Sequence, residues 1–247
     1  MKHMPIFVIS LKESIERRKY IEDVLPDKGI KFEFFDAVNG KDQFSSLLKK
    51  YDLTKRLWLT SGKMPSKGEA GCYASHYQLW EKCIELDTPI IIMEDDVNVC
   101  ENAQKTINIV AEKIEEYGYL RLENVIRGEL LAVEQGPEHC ITKMYDNFGG
   151  AQAYALSPSA AKKLVKNSRK WSVPVDNYLG EFYFHGVEAY HLTPQLVIDK
   201  GNFETTVQIG PRTYTPIYRK PSRELYTLYR KVKRFLHNKY FKKKMKK

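Results

Sequence analysis

The chain has 247 residues, 43% hydrophobic and 29% charged, a length and apolar content that support one large α/β domain, alone or with an appendage, and exclude wholesale disorder. Its net charge of +9 points to nucleic acid only until it is located: residues 218–247 hold 13 Lys/Arg and one acid, whereas residues 1–217 hold 27 basic and 30 acidic groups. The expected organisation is therefore a slightly acidic domain over 1–217 and a strongly basic tail over 218–247.

In chain order, residues 6–11 (Ile6-Phe7-Val8-Ile9-Ser10-Leu11) read as a buried strand. Residues 13–25 read as a helix, with Ile15, Ile21, Val24 and Leu25 on one side and Pro26 and Gly29 ending it. Residues 31–35 form a second expected strand, closed by the turn-like Asn39-Gly40. This β-α-β opening favours a mostly parallel sheet with helices on its faces. Residues 41–67 are mixed and polar, with Ser61-Gly62 and Pro65 marking a loop. A helix is expected over 69–86, then a fully apolar strand over 90–93 that runs into Glu94-Asp95-Asp96. A helix over 101–117 and strands at 119–122, 130–133, 141–144 and 151–156 follow. Ser157-Pro158 opens a helix at about 159–167. A strand over 196–198 precedes a proline-punctuated strap, with Pro211, Pro216 and Pro221 leading to the tail.

No run approaches the ~18 apolar residues of a spanning helix. The run at 5–11 is too short for a signal-peptide core and lacks a small-residue cleavage site. The four cysteines, Cys72, Cys83, Cys100 and Cys140, match no zinc spacing and are expected to be reduced. A cytoplasmic location is the resulting expectation.

Glu94-Asp95-Asp96 is the most informative local feature. Ligands of open α/β sheets sit beyond the carboxyl ends of the strands. Three adjacent carboxylates there repel one another, and a shared divalent cation relieves the repulsion. Hard oxygen ligands suit Mg²⁺ or Mn²⁺. Strand alternation would point Glu94 and Asp96 to one side. An acidic turn capping the next helix is the bland alternative. Upstream, Gly68 and Gly71 permit close backbone approach at a helix start that could bind anions. Ser75 and His76 follow one turn later, and His76 could equally be a satisfied core histidine.

These motifs resemble glycosyltransferase family 25, the bacterial lipopolysaccharide and lipooligosaccharide glycosyltransferases and their collagen-galactosyltransferase relatives. The matching pieces are Val8-Ile9-Ser10-Leu11 with Arg17-Arg18, Phe35-Asp36-Ala37-Val38-Asn39-Gly40, and Gly68-Glu69-Ala70-Gly71-Cys72 with Ser75-His76 and Trp80. Ile92-Met93-Glu94-Asp95-Asp96-Val97, Gly149-Gly150-Ala151-Gln152-Ala153-Tyr154 and Val175-Asp176 complete the series. The resemblance implies a nucleotide-sugar-binding fold of the GT-A type and inverting transfer of a hexose, most often galactose from UDP-galactose, to a lipopolysaccharide or lipooligosaccharide acceptor.

On that resemblance, Asp96 is the first choice of metal ligand and Asp95 the second, with Mn²⁺ or Mg²⁺ as cofactor. Glu94 would lie near the donor ribose or sugar. Ser10, Arg17, Arg18, Asp36, Glu69, Ser75, His76 and Gly150 complete the expected substrate-binding set. Inversion requires a base, for which Asp176 is preferred and Glu181 is second. His191 and Asp199 are further candidates for the metal site. A metal-dependent nuclease and a non-enzymatic membrane adaptor are the alternatives. The acidic balance of 1–217 argues against a nucleic-acid partner.

In the tail, Leu225, Leu228, Tyr229, Val232, Phe235 and Leu236 recur at helical spacing between basic residues. Such a helix is expected to lie at an anionic membrane surface, here the inner face of the bacterial inner membrane.

Overall fold

The computed structural model describes residues 4–124, 128–147, 149–200 and 215–245, with backbone alone at 199–200. The chain runs β1 (Ile6–Ser10), α1 (Ile15–Asp27), β2 (Glu33–Asp36), α2 (Gly40–Leu48), α3 (Leu53–Trp58), α4 (Lys67–Leu86), β3 (Ile90–Glu94), β4 (Val97–Val99), α5 (Ala103–Tyr117) and β5 (Tyr119–Arg121). It continues through β6 (Leu130–Gln135), β7 (Cys140–Met144), β8 (Ala153–Leu156), α6 (Pro158–Asn167), α7 (Val175–Leu179), α8 (Phe182–His185), β9 (Tyr190–Thr193) and β10 (Val197–Lys200). After a 3₁₀ turn at Ile217–Arg219 comes the long α9 (Lys220–Met245).

The apolar runs of β1 and β3 are buried on both faces, as strands sandwiched between helices must be. Side-chain alternation divides them between two cores. Ile90 and Ile92 pack with Tyr73, Leu79 and Trp80 of α4 and Leu164 of α6. Ile91 and Met93 pack with Ile21 and Leu25 of α1 and Val110 and Ile114 of α5. The result is a three-layer α/β/α domain.

The sheet order is β2-β1-β3-β8-β5-β9-β7-β6, with β4 and β10 forming a separate antiparallel pair. β2-β1-β3 and β5-β9 pair in parallel, while β8 is antiparallel to both neighbours and β6-β7-β9 is antiparallel. The expected mostly parallel sheet is thus a mixed one. Only the first three strands and β5-β9 are parallel, because β8 enters between β3 and β5 in the opposite sense. Two reversals restore direction, so β1, β2, β3, β5 and β9 all end at one edge, and β8 begins there.

The mixed, polar stretch 41–67, for which no element is expected from sequence, contains α2 and α3, and the loop marked by Ser61-Gly62 and Pro65 follows them. The turn-like Asn39-Gly40 that closes β2 is also the start of α2: the Asn39 side chain accepts from Lys41 N, and Asp52 caps α3 by accepting from Lys55 N at 2.9 Å. Pro26 lies inside the last turn of α1 rather than beyond it. All four cysteines are free thiols. The expected strap falls largely on residues 201–214, outside those described.

α9 lies against the domain. Arg230 pairs with Glu181 at 3.0 Å, Arg234 with Asp146 at 2.6 Å, His237 with Glu188 at 2.7 Å and Lys242 with Glu129 at 2.6 Å. At the helix start, Arg223 donates to the Thr60 carbonyl. The basic tail therefore spends part of its charge on the acidic body. Phe241 packs edge-on against Tyr145 of the body, whereas Leu225, Leu228, Val232, Phe235 and Leu236 point outward, with Leu225 70% and Phe235 64% exposed.

Candidate active site

The carboxyl edge gathers most of the sequence-predicted residues. β1 delivers Ser10, whose hydroxyl donates to Asp95 Oδ2 at 2.6 Å. α1 starts just past β1, so its first turn swings Arg17 back over the edge. Arg17 Nη1 donates to Asp95 Oδ1 at 2.9 Å and lies 3.8 Å from Asp96 Oδ2. Arg18 turns to β2, donating to Asp36 Oδ1 at 2.6 Å and to the Ser10 carbonyl at 2.9 Å. Arg18, then Lys12, hold the Asp36 carboxyl below its ordinary range.

The three consecutive acids do not act as one group. β3 ends at Glu94, and the turn that follows breaks the alternation expected to align Glu94 with Asp96. Glu94 faces α4, on the side of Ile90 and Ile92. There its Oε1 lies 3.5 Å from His76 Nε2 and accepts from the Cys72 thiol at 4.0 Å. Asp95 and Asp96 turn instead to Arg17. Burial, then the carboxylates around it, push the Cys72 thiol well above its ordinary value, Glu94 and Asp176 being the strongest of these.

The α4 start carries the glycine-rich motif. Ser66 caps it, accepting from Glu69 N at 3.0 Å. A side chain at Gly71 would strike the Val38 carbonyl and Gly40 N, and one at Gly40 would strike Lys67 O. These glycines let α2 and α4 meet backbone to backbone. The close approach read from sequence is thus made to protein. Ser75 belongs to the same joint: it is fully buried, accepts from Val38 N at 2.9 Å and donates to the Gly71 carbonyl. It ties the loop after β2 to α4 and has no surface to offer a substrate. Glu69 is clasped by Arg56 through two bonds of 2.7 and 2.9 Å, and burial still raises its pKa against the pull of Arg56.

Asp176 lies in the first turn of α7, where Pro174 rather than Asp176 occupies the cap position. Its Oδ1 accepts from Asn177 N at 2.7 Å. Burial, with nearby Glu94 adding to it, raises its pKa, while His76 pulls the other way. The Cys72 thiol in turn feels the Asp176 charge.

Glu181 is elsewhere. It pairs with Arg230 of α9 and lines a cavity of about 210 Å³ with Lys55, Tyr73, Ser172 and Phe184, none of them a strand-end carboxylate. None of Glu94, Asp95, Asp96, Glu123 and Asp176 lines that cavity. His191 is buried, with burial and Arg121 lowering its pKa to about 4. Asp199 has no described side chain.

Sequence reasoning missed Glu123, which follows β5 at the same edge. It is buried beside Arg121 at 3.4 Å, and burial, reinforced by Glu94, pushes its pKa up to about 8. Its signal was available: an acid just past an apolar strand, the same context as Glu94. Gly150 fits against this pair. A side chain there would strike the Arg121 guanidinium and Glu123 Oε1, and its φ of +136° suits glycine alone.

The edge is thus an acidic crater walled by Arg17, Arg18 and Arg121, with oxygen donors suited to a hard cation and to sugar hydroxyls. The model of glycosyltransferase family 25 (LPS biosynthesis protein) matches residues 3–179. A Haemophilus influenzae protein named lipooligosaccharide biosynthesis protein lic2B is 33% identical over 168 residues, 64% of this chain and 61% of that protein. Human procollagen galactosyltransferase 2 is 28% identical over 75% of this chain and 31% of its own length. A Bos taurus protein described as a probable inactive glycosyltransferase 25 family member 3 is 29% identical over 70% of this chain and 31% of its own. The chain therefore spans about three fifths of the first relative and about a third of the other two.

Proposed function

The chain belongs to glycosyltransferase family 25, and from that membership we propose that it is an inverting hexosyltransferase whose active site is the acidic crater. The donor is a UDP-sugar, most simply UDP-galactose, and the acceptor a lipopolysaccharide or lipooligosaccharide precursor. The supporting observation is the convergence of Asp96, Glu94, Glu123 and Asp176 with Arg17 and Arg121 at one sheet edge, where α/β folds hold ligands.

An acceptor hydroxyl attacks the anomeric carbon as the bond from that carbon to the diphosphate breaks, and UDP leaves with the electron pair. Asp176 takes the hydroxyl proton. Its raised pKa, caused first by burial, brings its basicity closer to neutral pH than that of a solvated carboxylate. Arg17 faces the site from α1 and balances negative charge as the diphosphate departs. A divalent ion fits the hard oxygen donors here. Asp96 would hold it, with Asp95 already engaged by Ser10 and Arg17, and it would stabilise charge on the leaving diphosphate. GT-A classification accompanies this reading.

The nuclease alternative loses support because residues 1–217 carry more acidic than basic groups and Arg230, Arg234 and Lys242 of α9 are paired to that body. The adaptor alternative leaves the crater without a role. No described helix is long and apolar enough to cross a membrane. The exposed apolar stripe of α9 supports peripheral attachment to an anionic leaflet, on the cytoplasmic side where nucleotide sugars are available.

The test is a donor-hydrolysis and thermal-shift screen over UDP-sugars, with and without Mn²⁺, and with single-stranded DNA as control. Turnover of one UDP-hexose, with stabilisation by the donor, is the expected result. Stabilisation by DNA alone would defeat the proposal.

A further inference from the structure

His76 matches a family motif yet is fully buried, so it cannot touch a substrate. Its surroundings show what it does instead. The Trp80 indole N–H donates to the Tyr154 hydroxyl oxygen at 2.8 Å, and that oxygen lies 2.9 Å from His76 Nδ1. An indole nitrogen can only donate. Tyr154 oxygen therefore accepts from Trp80 and has its own proton to place in a site closed to water. His76 Nδ1 is the acceptor within reach. The remaining imidazole proton then sits on Nε2. Among the described residues that atom has no formed hydrogen bond, and Glu94 Oε1 at 3.5 Å is the carboxylate it faces.

We propose that Trp80, Tyr154 and His76 form a one-way chain of donors that orients Glu94, making His76 a positioning residue rather than a donor-site ligand. The Cys72 thiol, one helical turn before His76, donates to the same Glu94 oxygen. Both contacts converge on Oε1. The Glu94 side chain keeps 27% of its surface exposed, so the carboxylate also presents itself to the crater, where it can accept from a sugar hydroxyl. The 3.5 Å gap is longer than a formed N–H···O bond. A small rotation of Glu94 closes it, as polar contacts in empty active sites tighten when ligand enters.

The same three side chains raise a competing assignment. The ligand atoms of Cys72, His76 and Glu94 lie within 4.8 Å of one another, a set that a thiophilic cation could use. Ligation would need the lone pair of Nε2, hence a proton on Nδ1. Tyr154 would then accept twice and leave its own proton without a partner in a buried place, which is unfavourable. The donor chain therefore favours orientation of Glu94 over metal binding.

Imidazole nitrogen NMR on the labelled full chain tests this, with the His76 signal assigned by replacing each other histidine in turn. A neutral ring with its proton on Nε2 and an accepting Nδ1 is expected, unmoved by one equivalent of Zn²⁺. A proton on Nδ1, or displacement of the Nε2 proton by Zn²⁺, would overturn the proposal. Tyr154→Phe should let the Nδ1-protonated form appear and lower kcat about 10- to 100-fold with donor KM within about twofold. Trp80→Phe should do the same more weakly. The turnover arm rests on the transferase reading; the tautomer arm does not. An Nε2-protonated ring in a protein that turns over no donor would keep the chain and sink the transferase.

Discussion

Asp96 and Asp176 are assigned different tasks in the proposed reaction, and their variants should fail differently. Asp96→Asn keeps the shape beside Arg17 but removes a charge from the proposed cation site. Turnover should fall by at least ~100-fold with thermal unfolding little changed, as expected where a group acts on developing charge. Wild-type turnover in steady-state kinetics would remove its role. Asp176→Asn should lower kcat about 100-fold or more while donor KM stays nearly constant, the signature of a lost base.

Glu123 offers a different measurement. Its folded pKa of about 8 lies above the ordinary value of 4.5, so the folded chain holds a proton that the unfolded chain has released. Stability therefore falls as pH rises through that interval. Below pH 6.5 the trend is opposed by His185 and His191, buried neutral with pKa values lowered to about 4. The clean window is pH 6.5 to 8. There Tm should decline in the wild type, and Glu123→Gln should flatten the decline. An unchanged slope in the variant would mean that Glu123 is ionised across the window.

At the scale of elements, the glycine motif is best understood as a joint. α2 crosses the start of α4 so closely that neither Gly40 nor Gly71 can carry a Cβ, and Ser75 binds the loop between β2 and α2. Gly71→Ala should destabilise by about 1–3 kcal/mol, since overlap with the Val38 carbonyl outweighs the gain in helix propensity. Denaturant unfolding would reveal this. An equal or higher midpoint would show that the two helices can part without cost. Losing this joint would also displace Cys72 and His76, which α4 holds over Glu94.

Across the whole molecule, the charge separation sets how α9 lies. Acidic residues of the body draw Arg230, Arg234 and Lys242 inward, which turns Leu225, Leu228, Val232, Phe235 and Leu236 towards solvent. The apolar stripe is thus fixed in one direction relative to the crater. Replacing Leu228, Val232 and Phe235 together by Gln should weaken binding to phosphatidylglycerol vesicles by about 100-fold or more, given the transfer energy of three such side chains, and leave soluble-donor turnover intact. Co-sedimentation measures it. Undiminished vesicle binding would remove α9 as the attachment surface.

The amino-acid order by itself determined the buried strands β1 and β3, the long helices α4 and α5, and the acidic strand end, because apolar periodicity and the ends of apolar runs are local properties. It also located the excess positive charge in residues 218–247. It could not settle which way each acid points. Glu94 joins Cys72 and His76 while Asp95 and Asp96 join Arg17, since the strand stops at Glu94 and two helices supply partners from opposite faces. It also hid α2 and α3, whose polar exteriors mask their caps, and it paired Glu181 with a site that the Arg230 ion pair takes it from. The antiparallel entry of β8, which brings Gly150 beside Glu123, and the docking of α9 were decided only by tertiary structure. Both depend on contacts between residues far apart in the chain, and no local window of sequence contains the two partners at once.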